Sequence, residues 1–157
     1  MRALGAHLLA GAAAGAAGTT ALHAVTYLDM AVRGRPPSRT PERTVERVSR
    51  MAGVPVPGRG AARRNRVAGV GSLLGMATGV TIGALAGAVR GGGLRVPYPI
   101  GALLTSGITM VLANGPMTVL GITDPRSWTR ADWLSDVVPH IAYGAVTSAT
   151  LRGLIRQ

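Results

Sequence analysis

Two ionisable side chains near the end of the chain have the spacing that joint chemistry requires. Asp136 and His140 are four residues apart, which places them one turn apart on the same face of a helix, and Tyr143 extends that face. A carboxylate beside an imidazole can fix its tautomer or form half of a proton relay or of a metal site. In a purely structural role, His140 would instead hydrogen-bond a neighbouring helix.

Three more polar residues, His23, Asp29 and Asn114, interrupt otherwise apolar sequence. An ionisable group in such a segment costs about 2.5–3.5 kcal/mol on insertion scales, so its presence calls for a partner. Asn114 is followed by Gly115 and Pro116, and the proline predicts a kink or a break that frees backbone carbonyls. The candidate polar cluster therefore comprises His23, Asp29, Asn114, Asp136, His140 and Tyr143.

The rest of the composition offers little for catalysis. The chain has no Cys, which excludes a thiol nucleophile and a thiolate metal site. Three His and six acidic residues form no recognisable triad or metal motif. We therefore expect no enzyme, no catalytic residue, no metal and no cofactor.

Four segments nearly free of arginine are each long enough to cross a hydrocarbon core of about 30 Å. They are residues 3–32, 67–89, 99–122 and 134–154. The first also resembles a secretory signal, but its apolar run continues beyond a usual signal sequence. The segments predict an all-α fold, a polytopic membrane helical bundle of four transmembrane helices in a single membrane domain, residues 1–157.

The basic residues indicate how such a bundle is oriented. All 17 are Arg, set against 6 acidic residues, and ten of them lie in residues 33–66. Cytoplasmic loops of inner-membrane proteins carry an excess of Arg, so we expect this loop in the cytoplasm, both termini outside, and a multi-pass location in the inner (plasma) membrane. Five arginines fall on the opposite side: Arg2, Arg90, Arg95, Arg152 and Arg156.

The arginine-rich loop contains a short helical pattern. Thr40 and Pro41 are typical of an N-cap and a first helical residue, and Val45, Val48 and Met51 then recur on one face. The pattern predicts either an amphipathic helix on anionic lipid headgroups or a solvated loop with a fraying helix. Residues 54–66 are predicted to be a linker. No aromatic residue stands among the arginines, so we expect no nucleic-acid partner.

Glycines recur every fourth residue in two of the predicted spans. Such stripes let helix backbones approach closely in lipid, which predicts glycine-zipper packing, although Ala/Gly-rich sequences also produce such spacings by chance. The partner helix belongs either to the same chain or to another copy or membrane complex. The residues concerned are Gly11 and Gly15 in the first span and Gly71, Gly75, Gly79, Gly83 and Gly87 in the second.

The start of the last span has its own signal. Thr129 and Asp132 are three residues apart and resemble a capping box with Asp in place of Glu, so a helix should begin near Arg130. Trp133 would then lie at the level of the headgroups.

These C-terminal residues also resemble a known family, the YagU-like bacterial inner-membrane proteins. The resemblance covers roughly a third of the chain and implies a shared fold and location without implying an activity. It rests on Gly121, Ile122, Thr123, Pro125, Trp128, Ser135, Asp136, His140 and Tyr143, and on Asp29, Pro36, Pro37 and Arg39.

Two functional hypotheses follow from the sequence. In the first, the protein is a non-catalytic helical bundle, an accessory membrane module that packs with itself or with a larger complex. In the alternative, it translocates protons, ions or a small solute through the embedded His/Asp cluster.

Overall fold

The computed structural model describes residues 2–94 and 96–155, and all regular secondary structure within them is helical. Arg95 and Arg156, two of the arginines predicted on the outer side, lie outside the described residues. Five α-helices are present, with one short 3-10 turn at Pro125–Ser127. They are α1 (Arg2–Arg33), α2 (Thr40–Ala52), α3 (Gly60–Gly91), α4 (Tyr98–Val119) and α5 (Arg130–Leu154).

Three of the helices, α1, α3 and α4, are long and apolar enough to cross a membrane. The helices confirm the all-α class. The lengths and compositions of these three are compatible with a membrane protein. The fourth predicted span, residues 134–154, lies in α5, which is not among the three apolar helices. Its transmembrane character therefore stays a prediction.

The helices pack in the order α3, α1, α5, α4. Helix α1 is central and contacts α3 on one side and α5 on the other, while α4 packs mainly on α5. Helix α2 packs on α3, and the two end helices, α3 and α4, share only a few contacts. The row of helices is therefore only weakly closed.

The contact between α1 and α3 is made by backbone. A Cβ on Gly83 would overlap the Gly15 Cα and the Gly11 carbonyl oxygen, and a Cβ on Gly15 would lie 2.6 Å from the Gly79 carbonyl oxygen. A Cβ on Gly87 would lie 2.7 Å from the Gly11 Cα. Since a real Cβ needs more room than this, only glycine fits at these positions.

The other two glycines of the α3 stripe have different neighbours. Gly71 lies against Pro41 of α2, and Gly75 has nothing within 4 Å of a Cβ placed on it. Each four-residue step along an α-helix turns the chain about 40° past a full revolution. Five glycines at this spacing therefore sweep about 160° of the helix surface, which is too wide for a single neighbouring helix.

The loop helix forms, but its details differ from the sequence prediction. Arg39, rather than Thr40, is the N-cap and makes no side-chain capping hydrogen bond. Val45 is buried on α3, whereas Val48 and Met51 remain exposed, so the three do not share one environment. The predicted linker of residues 54–66 was wrong in its second half, because α3 begins at Gly60.

Helix α4 runs without a break through Pro116 to Val119, so the proline does not split it. The capping box at the start of α5 is confirmed: the Asp132 N–H donates to the Thr129 hydroxyl oxygen at 3.2 Å, and the Thr129 N–H donates to the Asp132 carboxylate at 2.9 Å. The Thr129 hydroxyl also donates to this carboxylate, and these bonds hold the pKa of Asp132 below its ordinary value.

The seam between α1 and α3 can be tested with two alanines on one helix. Gly83→Ala forces a methyl group into the α1 backbone, so we expect it to lower the free energy of unfolding by about 1–3 kcal/mol. Gly75→Ala fills open space and should cost nothing. Reversible unfolding of both variants in mixed detergent micelles measures the difference, and equal stabilities would contradict this seam.

Candidate functional site

Most of the candidate polar residues gather along the inward side of α5, beginning where α1 ends. There the Asp29 carboxylate accepts from Arg33 at 3.1 Å, from Ser135 at 3.2 Å and from Arg35. Arg33 also donates to the Ser135 hydroxyl at 2.9 Å. Two guanidinium groups thus neutralise Asp29, and the serine connects the end of α1 to the start of α5.

The next group along α5 is Asp136 with Asn114. The Asn114 side-chain amide of α4 donates to the Asp136 carboxylate at 2.8 Å, and this carboxylate is only 21% exposed. The last two turns of α4 therefore face the first two turns of α5. The carboxylate has an interhelical donor, so its burial does not leave it unpaired.

His140 lies one turn further, and its hydrogen bond identifies its tautomer. Nδ1 lies 2.7 Å from the Asp136 backbone carbonyl oxygen and 3.7 Å from the nearer carboxylate oxygen. A carbonyl oxygen only accepts, so Nδ1 carries a hydrogen and, in the neutral ring, Nε2 is left as an acceptor. The backbone carbonyl, rather than the carboxylate, is the direct partner of the ring.

Tyr143 is the most deeply buried member of the cluster, with no exposed surface. Its hydroxyl donates to the Gly79 carbonyl of α3 at 2.6 Å. This hydrogen bond links α5 directly to α3. Thr109 of α4 is also buried, and Thr147 is fully buried one turn beyond Tyr143. Within the described part of the chain, the Thr147 hydroxyl has no hydrogen-bond partner.

The six predicted cluster residues are thus placed in three groups rather than one. Asp136, His140 and Asn114 come together, and Tyr143 continues the same face of α5. Asp29 is bonded to Ser135, the neighbour of Asp136, and not to Asp136 itself. His23 stacks on Tyr27 with ring centroids 5.8 Å apart.

Several polar neighbours of the candidate cluster were not predicted as part of it. Arg33 follows Asp29 by four residues, and this helical ion-pair spacing is a signal that could have identified it. Ser135 and Arg35 carry no such signal, since their contact with Asp29 depends on how the α1 end and its following turn lie against α5. The sequence gives no sign that Thr109 belongs to this group, because a threonine in an apolar helix usually donates to a backbone carbonyl of the same helix. Thr109 does so here, to the Thr105 carbonyl.

The arrangement is a stripe of hydrogen-bonding groups inside an apolar bundle. It can hold a proton on Asp136 or on Nε2 of His140, and its alcohol groups extend the stripe along α5. Among residues 2–94 and 96–155, no three His, Asp or Glu side chains converge as metal ligands must. The seven predicted packing glycines lie outside the stripe except Gly79, whose carbonyl accepts from Tyr143.

No protein-family model, no curated protein and no solved structure matches the chain. The role of the stripe therefore rests on its own geometry, in which each carboxylate has at least one donor from another part of the fold. Such pairing is what burial in a bilayer demands of a structural group and also what a relay requires.

The pairing of Asn114 with Asp136 predicts non-additive stability effects. Each single alanine variant should destabilise the bundle, and the double variant should cost less than their sum by about 0.5–2 kcal/mol, because the second substitution removes a group already without its partner. Unfolding of the four proteins in detergent micelles gives this coupling energy. Thr118→Ala, one turn from Asn114 and exposed, is the control, and it should be additive with Asp136→Ala. Additivity of the Asn114 cycle would contradict the hydrogen bond.

Proposed function

We propose that the protein is a multi-pass protein of the bacterial inner membrane, in which all four long helices cross the bilayer. The packing of α5 between α1 and α4, two helices that are long and apolar enough to cross, supports a fourth crossing. Its modest hydropathy has a structural cause, since its polar residues, among them His140 and Thr147, are buried against the other helices rather than exposed. The partial resemblance to the YagU-like proteins agrees with this location.

In this proposal the glycines of α1 and α3 act as a glycine zipper. In lipid there is no hydrophobic force between helices, so association depends on close van der Waals contact. The Gly83 backbone lies against both Gly11 and Gly15, and this contact supports the zipper within one chain.

We further propose that the bundle is non-catalytic and acts by packing with itself or with a larger membrane complex. The observation that carries this proposal is the weak contact between α3 and α4 at the two ends of the helix row. Both are apolar helices whose outer sides remain exposed, as at Leu73 of α3 and Leu112 of α4. A second helical partner would extend the row or close it.

Single cysteines test this packing, because the chain has none of its own. We expect Leu73→Cys or Leu112→Cys to form disulfide-linked dimers or larger adducts in membranes treated with a permeant oxidant. Ala24→Cys is the control: it is exposed at a similar depth but on the central helix α1, and it should remain uncrosslinked. Absence of adducts from both end helices, together with a monomeric mass in mild detergent, would reject the packing function.

A second candidate function is translocation of protons or other ions. The observation that favours it is the continuous order of Asp136, His140, Tyr143 and Thr147 along one buried side of α5, with the Nε2 acceptor of His140 available. Half-buried acidic and imidazole groups within a bundle are typical of proton pathways.

Proteoliposomes with an internal pH-sensitive dye test this second function. If the stripe conducts, the wild-type protein should dissipate an imposed pH gradient, and Asp136→Asn should slow that dissipation at least tenfold, because the amide cannot carry the proton. Asp124→Asn, in the loop before α5, should keep the wild-type rate. A wild-type rate equal to that of empty vesicles would reject conduction.

A further inference from the structure

The arginine-rich loop folds into a hairpin that neither the glycine seam nor the polar stripe uses. Pro41 lies against Gly71, and Glu46 forms an ion pair with Arg63 at 3.0 Å. Because later residues of α2 contact earlier residues of α3, the two helices run antiparallel. We call residues 39–66 the basic hairpin; it holds eight arginines and two glutamates.

The depth of the basic hairpin follows from the length of α3. The apolar part of α3 begins at Val67, and residues 60–66 continue the same helix beyond it. Seven residues at 1.5 Å each extend roughly 10 Å. The polar headgroup layer is about 5–8 Å thick on each side of the hydrocarbon core. Helix α2 therefore runs through this layer, from Pro41 beside Gly71, about 6 Å on the membrane side of Val67, outward past the Glu46–Arg63 ion pair.

Its arginines divide into two sets. In the first set, Arg63 forms an ion pair with Glu46, and Arg66 donates to the Pro57 carbonyl at 3.0 Å. In contrast, Arg43, Arg47 and Arg50 are exposed, and within the described residues their side chains have no acidic partner. Their spacings of four and three residues place them on one face of α2.

The exposed apolar side chains of α2 do not belong to that cationic face. Val48 is 48% exposed but lies about 100° or more around α2 from each of the three arginines, and Met51, 64% exposed, lies at the end of α2 that points away from the apolar part of α3. The match to a phospholipid therefore rests on charge and depth. The three guanidinium groups lie along the layer in which lipid phosphates are found, and guanidinium groups bind phosphate strongly.

We propose that the arginine face of α2, formed by Arg43, Arg47 and Arg50, binds the phosphate of anionic phospholipids in the adjacent leaflet. The site rests on the proposed membrane insertion of α3. Lipid binding there would stabilise the position of α2, the only α-helix among the described residues that is too short to cross the bilayer.

Native mass spectrometry of the full chain in a neutral detergent tests the site with two lipids of identical acyl chains, phosphatidylglycerol and phosphatidylcholine. We expect the wild-type protein to bind phosphatidylglycerol more tightly. Each arginine near an anionic surface contributes about a fivefold factor in affinity, so Arg43→Gln with Arg47→Gln should weaken phosphatidylglycerol binding by roughly 25-fold and leave phosphatidylcholine binding unchanged. Equal binding of the two lipids by the wild-type protein would overturn the proposal.

A matched control separates a local site from net charge. Arg126→Gln with Arg130→Gln removes the same charge from exposed positions at the same end of the bundle and should retain phosphatidylglycerol. An equal loss in this control would show a diffuse electrostatic effect and overturn the site. Arg43→Lys with Arg47→Lys keeps the charge and should recover part of the affinity, whereas no recovery despite an unchanged circular dichroism spectrum would contradict a phosphate contact.

Competition distinguishes a lipid headgroup from free phosphate. Millimolar inorganic phosphate should leave phosphatidylglycerol bound, because the acyl chains keep the lipid in the protein–detergent micelle beside the arginines, and complete displacement would overturn the lipid assignment. Lipid binding is measured on single chains, so its outcome is independent of cross-linking between α3 or α4 helices. Failure of the packing function and failure of this site are therefore separate results.

Discussion

The structure depends first on the backbone contact between α1 and α3. Where Gly11 and Gly15 meet Gly83, no side chain separates the two helices, and their dispersion contacts form at short range over several turns. This contact fixes α1 as the central helix. On the other side of α1, Gly18 receives Thr147 of α5 just as closely, and α5 in turn receives α4 through Gly144 and Ser106. Each pair of neighbouring helices in the row is therefore in close contact at small residues.

The second constraint is that every polar group inside a bilayer needs a partner. The fold meets it mainly with contacts between helices that are far apart in sequence: Asp29 with Ser135, Asn114 with Asp136, and Tyr143 with the Gly79 carbonyl. Interhelical hydrogen bonds in membrane proteins average about 0.6 kcal/mol each, so these contacts contribute more to the choice of neighbours than to total stability. They fix the rotation of α5, whose polar side must point inward.

The two ends of the bundle differ in chemistry, and this asymmetry follows from the hairpin of α2 and α3. At one end, Asp29 is neutralised by Arg33 and Arg35, while the exposed face of α2 keeps its positive charge. At the opposite end, the Arg152 guanidinium lies over the Tyr98 ring, 5.9 Å from its centroid, and the described residues there include few other charged side chains. The charge that orients a membrane protein is thus concentrated on a folded surface rather than on a loose loop.

The sequence by itself determined most of each long helix, although not the start of α3 at Gly60. The capping box placed the start of α5 at Arg130, and the uncharged segments located α1, α3 and α4, because helix formation, capping and membrane length are properties of local sequence. Only the tertiary structure decided which residues meet. Gly75 and Gly83 are equivalent in the repeat, yet Gly75 is open and Gly83 touches α1. Asp29, predicted in one cluster with Asp136, accepts a hydrogen bond from Ser135 instead. The reason is geometric: a contact depends on where two helices cross, and that crossing is fixed by packing between segments remote in sequence.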